Sequence, residues 1–174
     1  MLSLRDKNIL VTGGAGFVGG HLVEELVKMK ANVIVADINL DKRSYLFTED
    51  LHKKSKVIDL NICDYKKLLA LIKKYNIEFI FHLAAQALVE RAYENPKYTL
   101  DNNILSTINI LEAVRINPQI KGLIVASSDK AYGKLSIAKS RLSRDAKYTE
   151  SSPLSGDHPY DTSKSVTDLI STTY

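Results

Sequence analysis

Short apolar runs alternate with helical patterns along most of the chain. Asn8 to Val11 is apolar and stops at a cluster of glycines. From Phe17 to Lys30 the apolar residues Phe17, Val18, Leu22, Leu26 and Val27 recur at helical spacing. Val33 to Ala36 is a second apolar run, closed by Asp37, and Val57-Ile58 is a third, ending at Asp59. The polar stretch from Asn39 to Ser55 predicts a loop with a short helix. Asp64 is placed to cap a helix over Tyr65 to Lys74. Glu78 to Leu83 predicts a fourth strand. Leu100, Ile104, Ile108 and Leu111 then mark one face of a long helix ending near Asn117-Pro118, and that face is expected to be its core face. Leu123 to Ser127 predicts a fifth strand. Gly133 to Thr149 is polar and basic without a clear period, which reads as a surface loop. Pro159 suits the first turn of a last helix, expected to be still running at Tyr174.

Strands that read as continuous apolar runs, separated by helices, imply a parallel sheet covered on both faces. Right-handed crossovers then give a doubly wound α/β arrangement, the Rossmann type. Residues 1–174 are read as one such dinucleotide-binding domain, without internal repeats or low-complexity segments.

Composition narrows this picture only a little. The hydrophobic fraction of 45% and charged fraction of 25% are those of a globular protein. The net charge of +4 is spread along the chain, so it suits an anionic ligand without pointing to nucleic acid. Cys63 is the only cysteine, which excludes an intrachain disulfide and fits a reducing compartment; it is read as a small buried side chain. Leu2-Ser3-Leu4 runs straight into Arg5-Asp6-Lys7, unlike a secretion signal, and no segment reaches the ~20 apolar residues of a membrane span. A cytoplasmic location is expected, with neither a membrane nor a nucleic acid as partner and no metal site.

The glycines carry the first chemistry. Thr12-Gly13-Gly14-Ala15-Gly16-Phe17-Val18-Gly19 lies between a strand and a helix. Gly13 allows a sharp turn, Gly16 allows the backbone to approach a pyrophosphate, and Gly19 allows close helix packing. Phe17 and Val18 open a helix whose first N–H groups and positive dipole end suit phosphates. Asp37, after the next strand, is placed to accept hydrogen bonds from an adenosine ribose and to repel a 2′-phosphate, which favours NAD over NADP. Lys42 and Arg43 nearby are cations that can accommodate that phosphate, so the choice stays open. Asp59 is placed either to meet an adenine amino group, with Leu60 against the ring, or to cap a turn.

The glycine turn resembles that of the extended short-chain dehydrogenase/reductase family of NAD-dependent epimerases and dehydratases. Four further stretches are similar to the same family, in its order: His82-Leu83-Ala84-Ala85-Gln86, Asn103 to Ala113, Ser127-Ser128-Asp129-Lys130-Ala131-Tyr132-Gly133, and Pro159-Tyr160-Asp161-Thr162-Ser163-Lys164. The resemblance implies action on a nucleotide-activated hexose. It also implies that Leu83, Ala84 and Ala85 lie close to the cofactor, and that Lys164 bonds the nicotinamide ribose. His82 reads as a packed strand residue. Tyr160 and Lys164 lie four apart on one helix face. An ammonium near a phenol favours the phenolate, which can take a proton from a sugar hydroxyl as hydride leaves the same carbon. Ser128 matches the residue that bonds that hydroxyl. The resemblance further implies a homodimer through the 100–115 and 160–174 helices.

Asp129-Lys130 after Ser128 resembles the acid pair of sugar-nucleotide 4,6-dehydratases, in the form found in CDP-glucose 4,6-dehydratases; Pro153 to Tyr160 is similar to that branch as well. The implied reaction is oxidation at C4, water loss across C5 and C6, and hydride return to C6. Asp129 would protonate the leaving C6 hydroxyl. Lys130 would serve as a base if its pKa were lowered, and otherwise as an electrostatic element or ion-pair partner of Asp129. A nucleotide-sugar 4-epimerase is the alternative, since it needs only Ser128, Tyr160, Lys164 and NAD. Family members are longer than 174 residues. The expectation is therefore a Rossmann fold incomplete on its C-terminal side, with an open sheet edge at the fifth strand and no substrate domain. A cofactor-binding fragment, or one half of a split enzyme, is the corresponding third reading.

Overall fold

The computed structural model describes residues 3–134 and 147–174, so most of the expected loop between Gly133 and Thr149 lies outside the described residues. The described residues divide into two units, residues 3–85 with 106–126, and residues 86–105 with 127–134 and 147–174.

The first unit is built on five parallel strands in the order β3-β2-β1-β4-β5. They are β1 (Asn8–Thr12), β2 (Asn32–Asp37), β3 (Lys56–Asp59), β4 (Phe79–His82) and β5 (Gly122–Val125). Val, Ile, Leu and Phe fill the central strands, and Ile9, Leu10, Val11 and Val35 are fully buried. Alternate residues feed two cores. Leu10, Ile34, Ile80 and Ile110 belong to one, while Ile9, Val11, Val35 and Phe79 belong to the other. Helices α1 (Phe17–Lys28) and α2 (Tyr45–Thr48) contribute Val23, Leu26 and Leu46 to the second core. Helix α3 (Tyr65–Lys74), capped by the Asp64 carboxylate on the Lys67 N–H, contributes Leu68, Leu71 and Ile72 to the first. The fold is thus the doubly wound α/β class. The chain leaves β1 toward β2 on one side and reaches β4 on the other. The C-terminal ends of β1 and β4 therefore flank the point where strand order reverses, where such sheets bind ligands. Within the described sheet, β5 pairs only with β4, and its Ile124 is 58% exposed.

The second unit holds α4 (Val89–Glu94), a 3-10 turn at Asp129–Tyr132 and α6 (Pro159–Ser171). The long helix α5 (Pro96–Ile116) contributes residues up to Leu105 to this unit and those from Ser106 to the first. Ser165 on α6 ties its segment together, its hydroxyl donating to the Ala131 carbonyl at 2.6 Å and accepting from the Gly156 N–H at 3.0 Å.

Four expectations need correction. Helix α4 is absent from the periodicity because Pro96 breaks it off after six residues and restarts the chain as α5, four residues before Leu100. Of the expected face of α5, Leu111 is buried while Leu100, Ile104 and Ile108 are only half-buried; Thr99, Asn103, Ser106, Thr107 and Asn109 are buried beside Ile110 and Ala113. They are tolerated inside because they find partners. Asn103 takes the Gln86 N–H and donates to Ser163, while Asn109 donates to the carbonyls of Ile62 and Cys63. Helix α6 ends at Ser171, where the hydroxyls of Thr172 and Thr173 turn back onto the carbonyls of Leu169 and Ile170. Cys63 is half-buried rather than buried. No helix among the described residues is long and apolar enough to cross a membrane.

Glu78 closes the N-terminal ends of three strands. Its carboxylate accepts from Lys121 at 2.8 Å, from Lys7 at 3.2 Å and from the Asn8 N–H at 3.3 Å. These donors, Lys121 first, hold its carboxyl at about 2, below the ordinary 4.5. A carboxyl depressed in the folded state stabilises the fold above its unfolded pKa and loses that contribution as pH falls toward the folded one. Urea denaturation should therefore show the midpoint falling between about pH 5 and pH 2. Glu78→Gln should start lower at neutral pH and show a shallower acid dependence. An unchanged slope would remove Glu78 as the cause.

Candidate functional site

The glycine turn sits at the C-terminal end of β1. Gly13 has φ +71°, a conformation that only glycine adopts without strain. A Cβ there would also fall 2.7 Å from the Ala84 nitrogen and 2.9 Å from the Leu83 carbonyl carbon. The segment after β4 is thereby pressed onto the turn, with the Leu83 N–H on the Thr12 carbonyl at 3.1 Å and the Ala84 N–H on the Thr12 hydroxyl at 3.3 Å. Thr12 also bonds the His82 ring at 2.7 Å, and Thr107 shares the other ring nitrogen at 3.4 Å. His82 is thus a buried structural residue, as expected. Leu83, Ala84 and Ala85 are partly exposed.

Gly19 is needed for a closer reason than helix-on-sheet packing. A Cβ on it would meet the Gly13 carbonyl oxygen at 2.1 Å and the Gly14 Cα at 2.7 Å, so the first turn of α1 rests on the glycine turn itself. Gly16 is different. At φ −73° it would accept any residue, and a Cβ would meet only the Gly13 oxygen, at 3.2 Å. The protein leaves the space above Gly16 open. Helix α1 starts there with no side-chain cap and no acidic residue in its first turn, and Phe17, 80% exposed, and Val18 flank the opening. An uncapped N-terminus beside open backbone fits a dinucleotide pyrophosphate.

Asp37 stands beside this turn. Its carboxylate accepts from the Ala15 N–H at 3.0 Å and from the Asn39 N–H at 3.0 Å. Each carboxylate oxygen can accept a second bond, so ribose hydroxyls can still be taken. Asp59 is exposed and in register with Asp37 on the neighbouring strand. Leu60 is 5% exposed and packs in the core, so it presents little side chain to an adenine ring.

The other expected residues lie in the second unit. Ser128 lies three residues beyond β5, where its side chain caps the 3-10 turn by accepting the Lys130 N–H at 3.2 Å. Its hydroxyl donates to Asp129 at 3.2 Å. Tyr160 lies near enough to Ser128 for that hydroxyl to act on its phenol, and Lys164, one turn later on α6, is buried to 7% exposure. The electrostatics correct the sequence reading. Burial pushes the Tyr160 phenol up, hydrogen bonding to Ser128 opposes this, and Asp161 and Asp129 push the same way as burial. The Lys164 ammonium is itself pushed down by burial. Tyr160 is thus held protonated by its surroundings, and the expected lowering of its pKa is not present.

Lys130 is exposed and lines an open cleft with Lys134, Tyr148, Asp157, His158 and Asp161; its charge acts on Asp161. The sequence reading had not singled out His158 and Asp161. They pair at 2.8 Å across the start of α6, with Asp161 only 3% exposed. Burial raises the Asp161 carboxyl, His158 opposes it, and Asp157 adds to the rise. Asp157, His158 and Asp161 bring ligand-type atoms within 4.8 Å of one another. Their i, i+3 spacing was the signal available in the sequence, and it is a weak one because it also describes any ion pair at a helix start.

These charges define a titration test. In tyrosinate absorbance, the difference between the wild-type chain and Tyr160→Phe should place Tyr160 above the ordinary phenol value of about 10. Asp129→Asn should bring it down, because one of the negative neighbours is gone. A Tyr160 that titrates lower than its fellows would contradict the geometry.

Comparison with known proteins follows from this site. The family model described as GDP-mannose 4,6 dehydratase matches residues 10–174. The CDP-glucose 4,6-dehydratase of Salmonella typhimurium is 30% identical over 173 residues, covering 98% of this chain and 46% of that protein. The dTDP-glucose 4,6-dehydratase of Bacillus anthracis, solved in complex with NAD, is similar with a TM-score of 0.78 and 28% identity, covering 97% of this chain and 50% of that one. The UDP-glucose 4-epimerase of Thermus thermophilus, also solved with NAD, gives a TM-score of 0.81 and 28% identity over 96% of this chain and 50% of that one. The chain thus spans about half the length of these relatives. With the match running from β1 through α6 and the fold agreeing, the chain belongs to the GDP-mannose 4,6 dehydratase family of NAD-dependent epimerase/dehydratase-like proteins.

Proposed function

We propose that this chain binds NAD on its glycine turn and serves the oxidation of a nucleotide-activated hexose at C4. The observation that carries the reading is Ser128 beside the Tyr160 phenol, with buried Lys164 one turn later on the same helix, the residue types that removal of a proton from a sugar hydroxyl requires. NAD, when bound, supplies the acceptor for hydride from C4 and, in a dehydration, the donor for hydride to C6. Gly13, Gly16, Phe17, Val18 and Gly19 would hold its pyrophosphate, Asp37 a ribose and Asp59 the adenine edge, with Leu83, Ala84 and Ala85 around it and Leu60 packed in the core beneath. Ser128 bonds the C4 hydroxyl. Tyr160 takes its proton once the positive charges of the cofactor site and Lys164 offset the acids around it.

Within this class a 4,6-dehydratase is favoured by Asp129. Its carboxylate already holds the Ser128 hydroxyl; a proton delivered from Asp129 to the C6 hydroxyl lets that group leave as water while the C5 proton passes to a solvent water. Lys130 is exposed with its charge on Asp161, which supports an electrostatic role rather than that of a base. The 4-epimerase reading rests on the likeness to the Thermus thermophilus enzyme and needs no acid at position 129. A homodimer through α5 and α6 belongs to the same proposal, since both carry exposed apolar residues in Leu105 and Leu169; light scattering should then give twice the chain mass.

The purified chain, incubated with NAD and CDP-, dTDP- or UDP-glucose, should give a 4-keto-6-deoxy product from one of them. A C4 epimer would replace the dehydratase with the epimerase. NADH binding without turnover of any of the three would leave only the cofactor-binding fragment or half-enzyme. Tyr160→Phe should lower turnover by roughly 10²–10⁴-fold. Two glycine variants separate fold from site. Gly19→Ala should cost about 2–3 kcal/mol in urea denaturation, because backbone must move. Gly16→Ala should cost under about 1 kcal/mol yet weaken NADH binding by roughly tenfold or more, because its new methyl stands where phosphate approaches. Equal NADH affinity in Gly16→Ala and wild type would move the pyrophosphate off this turn.

A further inference from the structure

The loop between β2 and α2 carries two cations, Lys42 and Arg43, just beyond Asp37. In dinucleotide sites of this architecture a cation in that position receives a 2′-phosphate. Here both are engaged within the loop. The Arg43 guanidinium grips Asp41, with Nε at 3.1 and 3.2 Å from the two carboxylate oxygens and Nη2 at 2.8 Å from Oδ2. The Arg43 backbone N–H adds a bond to Asp41 Oδ1 at 2.9 Å, and the Ser44 N–H closes the turn on the Asp41 carbonyl at 2.9 Å. One residue earlier, the Lys42 Nζ stands 4.1 Å over the Phe47 ring, which packs against the core.

The loop is anchored at both ends beside the glycine turn. Asn39 is held by Asp37, which also holds Ala15. At the other end the Tyr45 ring lies 4.0 Å from that of His21 on α1, and its hydroxyl donates to Glu24 at 3.1 Å. Arg43 is only four residues from Asn39, a span of at most about 14 Å even when extended. A freed guanidinium is thus within reach of the Asp37 side of the site.

We propose that Asp41 is a cofactor-specificity residue: by occupying Arg43, while Phe47 occupies Lys42, it keeps positive charge away from the ribose edge and leaves Asp37 to reject a 2′-phosphate. The inference rests on the reading of the glycine turn as a dinucleotide site. Asp41 is held at about 2 by Arg43, so the pair persists across the neutral range. The Arg43 side chain is 90% exposed, and exposed pairs contribute little to stability, so the contact can be removed without unfolding the chain.

The test is fluorescence titration of the 174-residue chain with NADH and with NADPH, in wild type, Asp41→Ala and Asp41→Ala/Arg43→Ala. Wild type should favour NADH. Asp41→Ala should tighten NADPH by about fivefold, the worth of one exposed charge contact, more so at low salt, with NADH changed less than about twofold. The double variant should return NADPH to its wild-type affinity. An unchanged NADPH-to-NADH ratio in Asp41→Ala overturns the inference, as does a gain that survives in the double variant or a wild type that binds both equally. Wild type binding neither nucleotide is a separate outcome, and it removes the dinucleotide site itself.

Discussion

Backbone lies directly against backbone where the strand order reverses. Gly13 leaves β1 in a left-handed conformation with no room for a side chain against Leu83 and Ala84, and the first turn of α1 at Gly19 rests on the Gly13 carbonyl. The turn with its following helix and the distant segment after β4 converge there because two positions carry no Cβ. The rest of the first unit depends on this contact. The parallel register brings the ends of β1, β2 and β4 level, and Thr12 and His82 bond beneath the turn. The free N-terminus of α1 can only face a ligand because the glycine turn aims it there.

Charge is arranged around that frame with opposite signs in different places. The outer end of the sheet is closed by two lysines on Glu78, far from the ligand end of the strands. At the ligand end the loop cation Arg43 is paired with Asp41, Lys42 sits over the Phe47 ring, and the Asp37 carboxylate holds the turn through the Ala15 N–H. In the second unit the acids outnumber what Tyr160 needs. Asp129 and Asp161 keep its phenol protonated, and burial acts in the same direction.

Much of the fold was legible because it rests on local pattern. Apolar runs of two to six residues gave the five strands, and Asp64 gave the start of α3 through its bond to the Lys67 N–H. The misses have local causes too. Helix α4 is too short for a period to show, and the hydroxyls of Thr172 and Thr173 end α6 early by competing for its carbonyls. Periodicity found only Leu111 among the buried residues of α5. It counts apolar residues, whereas Asn103 and Asn109 are inside because distant groups complete their hydrogen bonds.

The sequence by itself determined the class of fold, the glycine turn and the identity of the residues gathered at Ser128, Tyr160 and Lys164, because each depends on spacing within one segment or on a motif. Only the tertiary structure decided what those residues feel. That Gly19 meets Gly13, that Arg43 is spent on Asp41, that Lys130 is exposed and Asp161 buried, and that the Tyr160 phenol is raised rather than lowered all follow from desolvation and through-space charge. These fall off with distance between atoms, and distance along the chain does not record them.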